Sequence, residues 1–88
     1  MDGYIEFDSA KDRENTEKHG LSLSEFPVFD SEGIIFEDDR QDYGERRYRA
    51  YGRIAGKGYA IVFTHRENRV RMISFRRAHE KEMRRYER

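Results

Sequence analysis

RRYRAYGRI (46–54), GYAIVFTHR (58–66) and RVRMISFR (69–76) decide the fold of this chain. Each stretch is rich in β-branched and aromatic residues that recur with the two-residue period of a half-buried strand. Only the short turns AGKG (55–58) and EN (67–68) separate them, which is the spacing of an antiparallel meander. In the first stretch Tyr48, Ala50 and Ile54 alternate with Arg47, Arg49 and Arg53. In the last, Val70, Met72 and Ser74 share one face, and Arg69, Arg71, Ile73 and Phe75 share the other. Neither face is wholly polar, so this strand is expected to lie inside the sheet.

Upstream, GIIFEDD (33–39) reads as a further strand, which makes a four-stranded antiparallel meander, and RQDYGE (40–45) as a loop turning at Gly44. YIEF (4–7) alternates as a short first strand. Asp8 is placed to cap a helix running to about His19, because its carboxylate can accept the unpaired amide protons of the first turn. Gly20 ends that helix without a Cβ penalty, and Lys18 and His19 sit where the helix dipole favours cations. In LSLSEFPVF (21–29), Ser22 and Glu25 form a capping box and Leu21 and Phe26 a hydrophobic staple, so a short second helix is expected, with Pro27 in its first turn. RRAHEKEMRRYER (76–88) closes the chain as a helix with Ala78, Glu82 and Tyr86 on one face and Met83 beside them. The predicted fold is α+β: an N-terminal strand, two short helices, the meander and a C-terminal helix.

Eighty-eight residues are too few for two hydrophobic cores, so residues 1–88 are read as a single domain. Apolar residues make up 35% and charged residues 41%, and twelve aromatics supply the surface that lets so polar a chain fold. There is no cysteine for disulfides, thiolate ligands or a thiol nucleophile. The first residues lack a basic segment followed by an apolar one, and no apolar run approaches about eighteen residues, so a cytoplasmic protein with no membrane association is expected. The net charge of zero hides an asymmetry: residues 1–44 hold four Lys/Arg against thirteen Asp/Glu, and residues 45–88 hold fourteen against five. One surface is therefore fit to meet a polyanion, unless the two halves neutralise each other within the fold.

His19, His65 and His79 fall in different elements with no HxxxH or HExxH spacing, so no metal site and no cofactor is expected. Glycine-rich phosphate loops and serine-triad spacings are missing as well. What remains is arginine interleaved with tyrosine and phenylalanine. Guanidinium groups bind phosphates bidentately and aromatic faces stack unpaired bases, which points to RNA unless the arginine-rich helix is only a solvated face.

FDSAKDRENTEKHG (7–20), VFDSE (28–32), YGERRYRAYG (43–52) and RMISFRRAHEKEMRRYE (71–87) together resemble the BrnT family of toxins from bacterial type II toxin–antitoxin systems. The first motif is carried by Lys11, Asn15, Lys18, His19 and Gly20, and the second by Phe29 and Asp30. Gly44, Glu45 and Arg47 form a G-E-x-R element. Arg71, Ile73, Ser74, Arg76, Ala78, Glu82 and Tyr86 form the closing one. Phe7 stands where the family pattern has a tryptophan before the helix aspartate, an exchange expected within the core. His79 replaces a small hydroxyl residue.

The resemblance implies a RelE-like fold and a metal-independent endoribonuclease that slows growth until a cognate DNA-binding, BrnA-like antitoxin covers it, with a homodimer within the toxin–antitoxin complex. Metal-free cleavage needs a base for the 2′-hydroxyl, positive charge on the developing phosphorane and a proton for the departing 5′-oxygen. Arg47, Arg71, Arg76 and Arg77 suit the second need. Glu45 or His19 suits the first, and Lys18, His19 or Tyr86 the third. Arg49, Arg69 and Arg77 are expected to bind RNA. Arg71 and Arg76 are favoured because two cations on one strand are costly to place together without an anion, and Arg76→Ala is expected to abolish toxicity with the fold intact. The competing reading is a non-catalytic RNA- or protein-binding module. A transcription regulator ranks last, since no helix-turn-helix pattern is present.

Overall fold

The computed structural model describes residues 5–24, 27–67 and 69–87. Its elements run β1 (Ile5–Glu6), α1 (Ser9–His19), β2 (Ile34–Glu37), β3 (Tyr48–Ile54), β4 (Lys57–Arg66), β5 (Arg69–Arg77) and α2 (Glu80–Tyr86). The last four strands adjoin in chain order and antiparallel, but the sheet is not four-stranded: β1 adds itself parallel to β5, giving the order β1-β5-β4-β3-β2. The fold is α+β with a mixed five-stranded sheet and, among the described residues, two helices.

Asp8 caps α1 as its position predicts, Oδ1 accepting the N–H groups of Ala10 at 2.8 Å and Lys11 at 3.2 Å. Gly20 ends it at φ 73°, donating its N–H to the Thr16 carbonyl. The one buried residue of α1 is Asn15, so the helix has almost no apolar face. The reason is its location. Among the described residues β1 pairs with Val70 and Arg71 and not with the later part of β5, and there the Asn15 amide stands in for a strand. Its Nδ2 donates to the Phe75 carbonyl at 2.9 Å and its Oδ1 accepts the Phe75 N–H at 3.2 Å. α1 thus covers a sheet edge, which needs polar groups, and not a sheet face.

The second helix expected over 21–29 does not form at residues 21–24 or 27–29, while Glu25 and Phe26 lie outside the described residues. The Ser22 hydroxyl is spent locally, accepting the Ser24 N–H and donating to Asp12 Oδ1, which also takes the Leu23 N–H at 2.7 Å. Those bonds fold the segment back along α1 and drive Leu23, fully buried, into the core. Phe29 then lies across Gly33 and Gly52, where a Cβ would meet its ring at 2.8 Å and 2.3 Å. Asp30 caps the β3–β4 turn by accepting the N–H groups of Ala55 and Gly56, both at positive φ.

The sheet has two faces. On the first, Leu23, Ala50, Ile61, Phe63, Met72 and Phe75 form the main core. On the second, α2 lays Met83 over Gly58 and joins Ala78, Tyr51 and Ala60 in a smaller cluster edged by Phe36 and Tyr86. Three expectations are corrected here. A β-bulge interrupts the β4–β5 register: Phe63 pairs with Met72 and Val62 with Ser74, so Ile73 is the extra residue. The alternation therefore changes phase, placing Phe75 in the first core and turning Ser74 and Arg76 to the second face. The terminal helix also starts later than its periodicity suggests, because Arg76 and Arg77 still pair with Ala60 and Tyr59 and the Ala78 N–H reaches the Gly58 carbonyl. Phe7, expected in the core, is 37% exposed.

Candidate functional site

Sheet register arranges the second face as rows. Arg49, Val62 and Ser74 lie abreast on β3, β4 and β5, and Tyr51, Ala60 and Arg76 form the next row. The middle strand contributes short side chains and its neighbours contribute long cationic ones, so the face is low in the centre and walled by guanidinium groups. α2 covers one end. The loop joining β2 to β3 rises beside the other. Between them lies a cleft of about 260 Å³ lined by Arg40, Arg47, Arg49 and Arg76 together with Asp38, Tyr43, Tyr51 and Ser74. Four of its lining residues are thus arginines and one, Asp38, is a carboxylate.

Not all four are equally available. The Asp38 carboxylate has no exposed side-chain surface, and Arg40 grips it through two bonds of 2.7 Å while the Tyr43 hydroxyl donates at 3.2 Å. These bonds, led by those from Arg40, hold Asp38 down at about 2 against the effect of burial. Arg76 is similarly held, bidentate to Glu82 at 3.0 Å and 2.7 Å, and Arg76 keeps Glu82 at about 2. The Tyr51 hydroxyl donates to the same carboxylate at 3.1 Å; burial and then the Glu82 charge push its pKa up, so Tyr51 is a neutral donor.

Arg47 and Arg49 are different. The Arg49 guanidinium lies over the Phe36 ring at 4.7 Å and the Tyr86 ring at 5.9 Å, and its Nη1 reaches the Tyr51 hydroxyl at 3.4 Å. Its Nε stops 3.8 Å short of Asp38. Arg47 stacks over Tyr43 at 4.3 Å, with Nε 3.6 Å from Glu45. Both contacts are ion pairs too long to be hydrogen bonds, and both Nε atoms are buried without an acceptor. A buried N–H in that condition costs roughly 1–3 kcal/mol. The aromatic stacks hold the two guanidinium planes in place despite that cost, an arrangement pre-set for an anion with several acceptor oxygens.

The residues expected from sequence divide accordingly. Arg47, Arg49 and Arg76 come together in the cleft, with Glu45 beside Arg47. Tyr86 packs against cleft residues, its ring stacked on Tyr51 at 4.3 Å. Arg69 and Arg71 share the second face but meet Glu6, at 2.9 Å and 3.5 Å. The anions that make Arg71 and Arg76 tolerable on one strand are thus protein carboxylates. Arg77 points to the first face, lying over Tyr59 at 5.3 Å and donating to the Gly58 carbonyl. Lys18 and His19 end α1 at the β5 edge, outside the cleft. His79 is the α2 cap residue and makes no side-chain cap bond. Asp38, Arg40, Tyr43, Tyr51, Ser74 and Glu82 were not singled out as site residues by sequence reasoning. Ser74 and Glu82 fall within the closing motif and Tyr51 alternates in phase with Arg49 and Arg53, which are the signals that the sequence carries for them.

Among the described residues no group of three His, Cys, Asp or Glu side chains is arranged to hold a metal ion, and no helix is long and apolar enough to cross a membrane. Residues 7–82 match a family model described as ribonuclease toxin, BrnT, of type II toxin–antitoxin system, a span that takes in every lining residue of the cleft. No curated protein matches the chain.

Proposed function

The chain belongs to the BrnT family of ribonuclease toxins of type II toxin–antitoxin systems, and from that premise we propose that it is a cytoplasmic, metal-independent endoribonuclease whose RNA substrate lies in the arginine cleft. The observation that carries this reading is the pair of buried Nε atoms on Arg47 and Arg49 that lack an acceptor beside Arg76 in one recess.

The chemistry follows from that geometry. A phosphodiester in the cleft supplies the missing acceptor oxygens, and Arg47 and Arg49 stabilise the charge that builds on phosphorus as the 2′-hydroxyl attacks. Their stacked planes are fixed beforehand, so little reorganisation accompanies the reaction. Arg76 is steered by Glu82 and sits across the floor from Tyr51. Glu45, 3.6 Å from Arg47, takes the 2′-hydroxyl proton. Of the expected proton donors, Tyr86 is the one that packs against the cleft, and it protonates the departing 5′-oxygen. Arg69 and Arg71 extend the cationic track along β5 for the flanking strand.

An acidic segment of a BrnA-like, DNA-binding antitoxin satisfies the same arginines and inhibits by occlusion, in a complex built on a toxin homodimer. Producing the chain alone in a bacterium tests the reading. Growth is expected to stop, with total RNA degraded within minutes; soluble protein with normal growth and intact RNA would overturn it in favour of a binding module.

A further inference from the structure

The β5 bulge has a chemical result besides a geometric one. Were Ile73 paired in regular alternation, Ser74 would share the first face with Met72; with Ile73 bulged out of register, Ser74 turns to the second face and lines the cleft. Bulges beside sites commonly re-aim a side chain in this way. Ser74 is then abreast of Arg49, with Val62 between them, two strand spacings or about 10 Å apart at the backbone. The Arg49 guanidinium is held toward Phe36 and Tyr86 and the Ser74 side chain is short, so the space above Val62 between them is open to a phosphate that meets both. The Ser74 hydroxyl is half-buried and has no hydrogen-bond partner among the described residues.

We infer that Ser74 is a substrate-contacting residue whose hydroxyl donates to the RNA phosphate held by Arg49, on a floor kept low by Ala60 and Val62. The ligand in this inference rests on the ribonuclease reading. A neutral donor at this point adds a directional bond without adding another cation to a site that already holds four arginines. It selects where along the cleft the phosphate stops.

Ser74→Ala and Ser74→Thr test it, through cleavage of single-stranded RNA and through binding of a 2′-O-methyl oligonucleotide that lacks the attacking hydroxyl. Ser74→Ala is expected to lower kcat/KM and weaken oligonucleotide binding by about tenfold each, as for a hydrogen bond to a charged group, with an unchanged urea unfolding curve. Ser74→Thr, which keeps the hydroxyl on a strand-compatible side chain, is expected to recover most of both. An Ala variant equal to wild type in both assays overturns the assignment. Ser74-dependent binding in a wild-type protein that cuts nothing would uphold the contact and remove the catalytic reading instead.

Discussion

Arg49→Ala is expected to reduce RNA cleavage about a hundredfold or more and to abolish growth arrest, with unfolding in urea shifted by no more than about 1 kcal/mol. The large effect follows from where the side chain spends its interactions. Arg53 is consumed in tying β3 to α2 through Glu80 and Glu87, and Arg76 is matched by Glu82. Arg49 lies against Phe36 and Tyr86 and leaves its Nε unmet. Removing it takes a preorganised charge from the cleft and little from the core. Arg49→Lys is expected to restore only a minor part, because an ammonium cannot keep both the planar stack and the fork geometry. Arg76→Ala is also expected to abolish toxicity, but by two routes, since it leaves the Glu82 charge uncompensated beside the incoming phosphate. Cleavage at the wild-type rate by Arg49→Ala would remove the cleft from the mechanism.

Gly52→Val is the substitution expected to cost the most stability, about 3 kcal/mol or more, enough to unfold much of a domain this small at growth temperature. A Cβ at Gly52 would lie 2.3 Å from both Cγ and Cδ2 of Phe29. The ring already occupies the space beside Gly33, where a Cβ would lie 2.8 Å from it, so a shift that way drives it onto the Gly33 backbone. Expelling Phe29 also pulls on Asp30, whose carboxylate holds the positive-φ turn at Ala55 and Gly56. The F-D motif therefore works as a pair: one residue fills a slot made by two glycines and the next caps the hairpin. Urea denaturation checks the loss, and Phe29→Ala in the Gly52→Val background should recover part of it if the clash is the cause. An unfolding midpoint equal to wild type would contradict the packing described for this corner.

What could be read from sequence followed local rules. Asp8 and Gly20 mark α1 because capping depends on residues a few positions apart, and β3 has an unbroken alternation. Where the reading failed, the deciding contact was remote. The phase of β5 changes at Ile73 because of how β5 pairs with β4, and nothing in RVRMISFR marks the extra residue. Ser22 carries a capping-box signature, yet Asp12, ten residues earlier, takes its hydroxyl. Glu82 was placed by helical period on a face with Ala78 and Tyr86, while its function is to meet Arg76 across the strand–helix junction.

The candidate site was legible in the same measure. Arginine on alternate positions of RRYRAYGRI showed that Arg47 and Arg49 share a face. It could not show that stacking on Tyr43, Phe36 and Tyr86 would bury them short of an acceptor. The Asp38–Arg40–Tyr43 corner lies in an aperiodic loop, where only the folded chain brings its members together. Lys18 and His19 were weighed from motif and helix-end position, and the course of α1 along the β5 edge keeps them away from the cleft.

The most direct test of the central claim is to incubate the purified protein with an end-labelled single-stranded RNA in excess chelator and determine the new ends. Attack by the 2′-hydroxyl under arginine stabilisation predicts cleavage that persists without free metal and leaves 2′,3′-cyclic phosphate and 5′-hydroxyl termini. Cleavage abolished by the chelator, or products carrying 5′-phosphates, would contradict it.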